Sequence, residues 1–200
     1  MRLFVGIELS GEARNAVLEV WERLSGAIAR QGVRFVRPEK LHLTLAFLSN
    51  VDESNLPSLI AALDDGVCGA PFELHLDGLG CFPDMRRPRV IWVGFGGDTG
   101  RVADLAGKVA KAARPFAPEL DEKPFAAHVT LARINPGSKE IGRMLGHMDL
   151  LIPPAVLPVG GFSLIHSKPD GAYETARRFI LKADARPRNR QATTSAPEPS

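Results

Sequence analysis

The first part of the chain changes from a strand-like to a helix-like hydrophobic pattern. The run from Arg2 to Leu9 is rich in apolar, aromatic and β-branched residues, which predicts a buried strand. Ser10 is a residue type that caps helices, and Gly32 is one that ends them. Between them, helical spacing is kept by Ala13, Ala16, Val17, Val20, Trp21, Leu24 and Ile28. A short strand is predicted from Val33 to Val36.

Further elements complete the first half of the chain. A proline-containing turn leads into a predicted strand from Leu41 to Leu48, and a helix follows from about Glu53 to Leu63. Apolar and polar residues alternate from Phe72 to Leu79, which is typical of a half-buried strand. The segment from Gly80 to Pro88 is rich in turn-forming residues and is predicted to be a connection.

The same order of elements then begins again. A strand from Arg89 to Phe95 resembles the first strand and lies 87 residues after it. After a helix, a strand is predicted at Ala127 to Leu131, a helix at about Lys139 to Met148, and strands at Phe162 to His166 and Tyr173 to Leu181. The helix between the strands at Arg89 and Ala127 has its apolar positions at Val102, Leu105, Val109 and Ala112.

This repetition predicts one duplicated domain followed by a tail. We expect the domain to span residues 1–183, with pseudo-repeats at about 1–88 and 89–183, because a period near 86 residues is too long for a solenoid. A pseudo-twofold axis between the halves would bring their equivalent strands face to face, with His42 and His128 together across a cleft. Residues 184–200 contain almost no apolar side chains, so we expect a disordered tail, solvated rather than bound to RNA.

Composition narrows the class of protein. An apolar content of 44% and a charged content of 24% are typical of a soluble globular chain. The net charge of +2 is too small for a protein that coats long nucleic acid, although it permits a basic site for one phosphate group. Cys68 and Cys81 form no metal-ligand pattern and no disulfide scaffold. No segment approaches the length of a membrane span, so we expect a cytoplasmic protein with no membrane partner.

Two short repeats carry the candidate chemistry. Each places a histidine and a threonine two residues apart in an apolar run, and side chains at i and i+2 of a strand share one face. His42 and Thr44 therefore point the same way, as do His128 and Thr130. The opposite faces are filled by the intervening and following residues Leu43, Leu45, Val129 and Leu131.

A pair of facing histidines suits general acid–base catalysis near neutral pH, because one ring can accept a proton while the other donates one. The threonine hydroxyls can donate hydrogen bonds to an anionic oxygen between the rings. Arg133 is the nearest cation after the second repeat, although its odd spacing points to the opposite strand face unless the strand twists or ends there. Arg37 and Lys40 precede the first repeat. A phosphodiester is the substrate that these donors fit best.

Metal binding is a weaker interpretation of the histidine pair. Zinc needs at least a third protein ligand, and no His, Cys or carboxylate stands at ligand spacing beside either repeat. We therefore expect no metal and no cofactor. His75 is predicted to be exposed, and His147 and His166 to be surface or structural residues, with His166 the one that could reach the cleft.

Large aromatic residues have structural explanations. Phe47 lies an odd number of residues after His42, so strict alternation predicts that it packs in the core rather than stacking on a nucleobase. Trp21 and Trp92 also fall on predicted core faces.

The two repeats, together with the sequences on either side of them, resemble the HxTx motifs of the 2H phosphoesterase superfamily. The wider match is to its RNA 2′,3′-cyclic phosphodiesterase family, also called the 2′-5′ RNA ligase or LigT-like family, and it covers about Arg2 to Leu181. The matching segments are Arg2-Leu-Phe-Val-Gly-Ile, Phe35-Val-Arg-Pro-Glu-Lys-Leu-His-Leu-Thr-Leu, Arg86-Arg-Pro-Arg-Val-Ile-Trp and His128-Val-Thr-Leu-Ala-Arg133. Ala127 departs from the proline that the family often has there, but this removes no catalytic group.

The resemblance implies an α+β, duplicated bilobal LigT-like fold: two antiparallel-sheet lobes with outer helices and a central cleft. It implies metal-independent hydrolysis of RNA 2′,3′-cyclic phosphodiester ends to 2′-phosphomonoesters, with possible reverse 2′-5′ RNA ligation. By the same analogy His42 is the proton donor and His128 the proton acceptor, while Arg133, with Thr44 and Thr130, binds phosphate. The residues alone leave open which ring is the acid.

Two alternatives remain at this stage. The fold could serve a non-catalytic RNA-end binding protein, although such a protein could dispense with the imidazoles. The substrate could also be a small nucleotide cyclic phosphate instead of an RNA end. We expect a monomer whose partner is RNA with a 2′,3′-cyclic phosphate end or a small nucleotide.

Overall fold

The structure is a computed structural model, and it describes residues 1–29, 32–118, 120, 124–135, 139–148 and 151–182. The predicted tail at 184–200 lies outside the described residues. Within them, no helix is both long and apolar enough to cross a membrane. The cytoplasmic location stays a prediction.

The described chain contains strands and helices in nearly the predicted order. The strands are β1 (Arg2–Glu8), β2 (Val33–Phe35), β3 (His42–Asn50), β4 (Phe72–Phe82), β5 (Val90–Gly97), β6 (His128–Ile134), β7 (Val156–Val159), β8 (Gly161–Ser167) and β9 (Tyr173–Ile180). The helices are α1 (Gly11–Ile28), α2 (Leu56–Gly66), α3 (Thr99–Ala113) and α4 (Lys139–His147). The predicted turn before β3 is a short 3₁₀ helix, Pro38–Lys40.

The strands form one antiparallel sheet in the order β7-β4-β5-β6-β3-β1-β8-β9, with β2 added beside β6. The predicted α+β bilobal class is confirmed, and its two lobes are joined into a single sheet through β3 and β6. Each lobe takes strands from both halves of the sequence, because β4 pairs with β5 and β7, whereas β8 and β9 lie beside β1. The division into pseudo-repeats at residue 88 stays a prediction.

Helices cover one face of this sheet and leave the other face open. The buried stripe of α1 is the one that the helical spacing predicted, and α3 packs against α2 and β3. Leu43 and Val129 are fully buried on the covered face. Burying a side chain of this size stabilises the fold by about 1.5–3 kcal/mol, so the register of the two motif strands is firmly set.

Two strand predictions need correction. β4 continues through the segment that was predicted to begin a connection at Gly80, because residues 80–82 pair with residues 90–92 of β5. β7 was not predicted, since it contains Pro158 and follows Pro153 and Pro154. It lies at the sheet edge, where a proline can be accommodated because its missing N–H costs no ladder hydrogen bond.

Candidate active site

Four of the predicted site residues come from two neighbouring strands. Leu43 of β3 lies opposite Val129 of β6 in antiparallel register. Because side chains alternate, the residues on either side of this pair project from the opposite, open face of the sheet. Those residues are His42, Thr44, His128 and Thr130. The motif strands are therefore side by side in one sheet, rather than facing each other across a cleft as the sequence suggested.

A β-bulge in β3 changes which residues share this face. Thr44 pairs with Gly6 and Ala46 pairs with Val5, so Leu45 is an extra residue in the ladder. The alternation shifts by one position, and Phe47 comes onto the face of His42. The core position predicted for Phe47 is wrong, since 52% of its surface is exposed.

A second bulge lies at the equivalent place in β6. Thr130 pairs with Trp92 and Ala132 pairs with Ile91, so Leu131 is the extra residue. Arg133 is consequently exposed on the same face as His128, despite its odd spacing. The bulge shifts the alternation by one residue, and this shift places Arg133 on the face that strict alternation would have denied it.

Both histidine rings are held by the carbonyl two residues earlier in the chain. Nδ1–H of His42 donates to the Lys40 carbonyl at 2.7 Å, and Nδ1–H of His128 donates to the Ala126 carbonyl at 2.7 Å. A carbonyl can only accept, so in each neutral ring the proton is on Nδ1 and Nε2 carries the lone pair. Oγ1 of Thr44 lies 2.9 Å from Nε2 of His42 and donates to it while the ring is neutral.

Two aromatic rings contact the His42 ring. It stacks on Phe4 with ring centroids 4.6 Å apart, and the Tyr173 ring meets it edge-on at 5.7 Å. Gly6 lies beneath, and a Cβ there would come within 3.2 Å of Cδ2 of His42 and 3.0 Å of the Leu43 carbonyl. A glycine is therefore what lets the imidazole lie against β1.

The His128 ring has different neighbours. Phe82 meets it edge-on at 5.1 Å, and the Trp92 ring centroid lies 6.1 Å away. A Cβ at Gly80 would overlap the six-membered ring of Trp92, and one at Gly94 would approach it to 2.9 Å. The predicted core position of Trp92 is wrong: the indole lies flat over these two glycines beside His128, with its Nε1 buried and unpaired among the described residues.

Electrostatics act in the same direction on both rings. Burial lowers the pKa of His42, with the hydrogen bond to the Lys40 carbonyl opposing and the positive charge of His128 adding to the decrease. Burial also lowers the pKa of His128, where the Ala126 carbonyl opposes and the charge of Arg133 adds to it. The charge of one ring is thus felt by the other.

Two grooves open beside the histidines. The first, here called the Arg133 groove, has a volume of about 840 Å³ and contains Arg133 together with Arg2, Phe47 and the ring partners of His42, Phe4 and Tyr173. The predicted cation Lys40 lies over the Tyr173 ring, 4.9 Å from its centroid, and Arg37 is exposed before the 3₁₀ turn. Arg2 could have been found from alternation with Phe4, whereas Tyr173 comes from β9 and has no nearby sequence signal.

The second groove, here called the α3 groove, also has a volume of about 840 Å³. It contains His128 itself, the ring partner Phe82, Thr44 and Phe47. Along its length lie one side of α3, two guanidinium groups and a further phenylalanine, namely Ala103, Ala106, Gly107, Ala110, Arg89, Arg114 and Phe125.

The remaining histidines lie elsewhere. His75 and His147 are exposed, as predicted, and His166 pairs with Leu3 and Glu174 within the sheet. Across the part of the chain that the structure describes, no three His, Cys, Asp or Glu side chains are grouped to hold a metal ion. Cys68 and Cys81 are free thiols, and burial raises the pKa of Cys81 to about 11.

Known proteins resemble this chain in sequence and in fold. A family model described as LigT like Phosphoesterase matches residues 7–92. An RNA 2′,3′-cyclic phosphodiesterase of Archaeoglobus fulgidus is 35% identical, over 70% of this chain and 77% of that protein. A protein of the same name from Thermus thermophilus is 32% identical, over 92% of both chains.

Solved structures give the same result. The crystal structure of TT0787 of Thermus thermophilus superposes with a TM-score of 0.70 at 30% identity, covering 92% of this chain and 100% of that one. Escherichia coli LigT complexed with ATP superposes with a TM-score of 0.65 at 27% identity, covering 90% of this chain and 97% of that one.

Proposed function

This chain belongs to the LigT-like phosphoesterase family, and we propose that it hydrolyses the 2′,3′-cyclic phosphodiester at RNA ends to a 2′-phosphomonoester. The observation that carries the proposal is the register of β3 and β6, which projects two imidazoles and two hydroxyls from one face. Its relatives from Archaeoglobus fulgidus and Thermus thermophilus carry the name RNA 2′,3′-cyclic phosphodiesterase, which supports the substrate class.

His128 is the proton acceptor in this mechanism. Because its Nδ1–H donates to the Ala126 carbonyl, its Nε2 lone pair is available to take a proton from a water molecule. Burial, together with a smaller effect of the Arg133 charge, lowers the pKa of His128 and so favours this neutral, proton-accepting form. The activated water attacks phosphorus on the side away from the leaving oxygen.

His42 is the proton donor. It carries a second proton on Nε2 and passes it to the 3′ oxygen as the P–O3′ bond breaks. The Phe4 ring stacked at 4.6 Å presents its electron-rich face to the imidazolium, which supports the charged form of this ring. The distinction from His128 rests on family resemblance and on this difference in ring partners.

The phosphate oxygens are held by hydroxyl and guanidinium donors. Thr44 and Thr130 flank the histidines on the open face, and Arg133 supplies the positive charge that the hydroxyls lack. Donors aimed at the oxygens that gain charge in the transition state accelerate the reaction more than they tighten substrate binding. The two HxTx motifs together with Arg133 therefore supply an acid, a base and the donors that bind the anion.

The same groups can act in reverse. A 5′-hydroxyl in place of water would give a 2′-5′ linkage, and hydrolysis dominates where water is the more abundant nucleophile. A small nucleotide cyclic phosphate is the second candidate substrate, favoured by the nucleotide bound to E. coli LigT. The Arg133 groove, with its three aromatic rings and two cations, suits either substrate.

The test is incubation of the purified chain with an oligoribonucleotide ending in a 2′,3′-cyclic phosphate, in EDTA, across a range of pH. We expect a 2′-phosphomonoester product and a bell-shaped profile of kcat/KM that reports one acid and one base. A 3′-phosphate product, or activity abolished by the chelator and restored by a metal, would contradict the mechanism.

A further inference from the structure

The α3 groove opens directly on His128 and is much larger than hydrolysis requires. A water molecule needs only a small opening, whereas this groove has a volume of about 840 Å³ and is lined by Thr44, Phe47 and one side of α3. The Arg133 groove, by contrast, adjoins the ring partners of His42. His128 therefore lines the α3 groove, the ring partners of His42 line the Arg133 groove, and Phe47 lies on the wall of both.

The lining of the α3 groove has the chemistry of a nucleotide site. Phe82 and Phe125 provide aromatic surface on which a base can stack, and such stacking tolerates any base. Arg89, which is exposed, provides a guanidinium group that can pair with phosphate oxygens. The groove is continuous with the proposed reaction centre because His128 forms part of its wall.

The direction of attack decides which nucleotide would lie there. In an in-line displacement the nucleophile and the leaving oxygen occupy opposite sides of phosphorus. If His42 protonates the leaving 3′ oxygen, the ribose that carries the cyclic phosphate lies toward the Arg133 groove. The nucleophile then arrives from the side of His128.

We propose that the α3 groove binds the terminal nucleotides of an RNA strand with a 5′-hydroxyl, which is the acceptor in 2′-5′ ligation. This inference rests on the proposed function, because it uses its assignment of donor and acceptor. In the reaction, His128 takes the proton of the 5′-hydroxyl, the P–O5′ bond forms and the P–O3′ bond breaks. The 3′ oxygen receives a proton from His42, so that a 2′-5′ phosphodiester and a free 3′-hydroxyl result with no cofactor consumed.

Gly107 offers a substitution that fills the groove without touching the proposed catalytic groups. It lies in α3 on the wall of the groove, and a Cβ built there meets no atom within 4 Å. The Gly107→Phe side chain would fill the part of the groove where the acceptor RNA is proposed to bind. Gly26→Phe is the matched control, because Gly26 is an exposed helical glycine of α1 with equally open surroundings.

The experiment supplies an RNA with a 2′,3′-cyclic phosphate end and a short RNA with a 5′-hydroxyl and a blocked 3′ end, and measures the joined and the hydrolysed products separately. We expect Gly107→Phe to lower the ratio of joined to hydrolysed product at least about tenfold, the loss of a stacked base being of that size, while hydrolysis changes less than about twofold. Gly26→Phe should keep the wild-type ratio. Arg89→Gln, a second variant that adds no bulk, should raise the acceptor concentration needed for joining.

Several results would overturn the inference. They are hydrolysis without joining by the wild-type chain at saturating acceptor, an equal loss of both products in Gly107→Phe with the acceptor requirement of Arg89→Gln unchanged, and wild-type ratios in both groove variants. A wild-type chain that does not hydrolyse the cyclic end at all would instead reject the proposed function. The two failures are therefore distinguishable in one assay.

Discussion

The two halves of the candidate site share a backbone design but differ in what surrounds it. In both, a carbonyl two residues before the histidine holds Nδ1 at 2.7 Å. In both, a bulge after the threonine brings the residue at i+5 onto the open face. Duplication thus explains the positions of the groups, while the flanking strands explain why the two halves are not interchangeable.

The difference lies in three places. At i+5 the first half has Phe47 and the second has Arg133. The residue paired with the motif threonine is Gly6 in the first half and Trp92 in the second. One imidazole lies over a glycine and stacks on a phenylalanine, whereas the other lies beside an indole. These different surroundings can give two otherwise equivalent histidines separate roles, one as the proton donor and the other as the proton acceptor.

The largest expected effect on activity comes from removing each imidazole. His42→Ala and His128→Ala should each lower kcat/KM on the order of 10²–10⁴, because each removes a proton-transfer group. The double variant should lose less than the product of the two losses, since the groups act as a unit. Steady-state hydrolysis of a cyclic-ended RNA is the measurement, and His75→Ala, an exposed strand histidine, is the control.

If either single variant kept full turnover, the role assigned to that histidine would be wrong. A product of losses in the double variant would indicate that the two rings work independently.

Substitutions of the residues at i+5 should affect kcat and KM differently in the two halves of the site. Arg133→Gln should lower kcat by about one to two orders of magnitude, because a charged donor to the phosphate stabilises the transition state. Phe47→Leu should raise KM by about one order of magnitude with kcat little changed, since a stacked base is bound equally well before and during reaction. Separate determination of kcat and KM distinguishes the two.

The reverse pattern, with Phe47→Leu acting on kcat and Arg133→Gln on KM, would contradict the assignment of charge and stacking to these positions. Equal effects of both substitutions on KM alone would mean that neither side chain contacts the reacting phosphate.

The glycine beneath the Trp92 indole tests the packing difference. Gly80→Ala should destabilise the fold by about 1–3 kcal/mol and displace Trp92 toward His128, because overpacking moves neighbouring side chains. Gly96→Ala, on the adjoining strand, is the matched control, since its Cβ would make an ordinary contact 3.4 Å from Asp77 Oδ2. Urea unfolding and tryptophan fluorescence report stability and the surroundings of Trp92.

A Gly80→Ala protein with wild-type stability and unchanged fluorescence would show that the indole can move at no cost, and that it does not position His128.

Much of this site could be predicted from the sequence, and the remainder depends on pairing between strands. Alternation put His42 with Thr44 and His128 with Thr130 on common faces, and the repeat brought the two strands together. The face of Phe47 could not be predicted, because a bulge is a property of the ladder with β1 and leaves no mark within β3 alone. Tyr173 was missed because β9 reaches the first lobe only through the exchange of strands between the halves.

The smallest expected effect concerns stability, and it follows from the one property that the two histidines share. Burial holds the pKa of both below the usual 6.5 in the folded chain, so the unfolded chain binds protons first as the pH falls. The stabilising contribution of the neutral rings is therefore complete above about pH 6.5 and is lost as the pH decreases below it. Asp52 and Glu174, whose pKa values are lowered by hydrogen bonds from Ser54 and Lys168, titrate at lower pH and leave this window clear. Urea unfolding between about pH 7.5 and 5 should show a decline in the free energy of unfolding that flattens in the double variant His42→Gln, His128→Gln; a decline of equal slope in that variant would assign it to other groups.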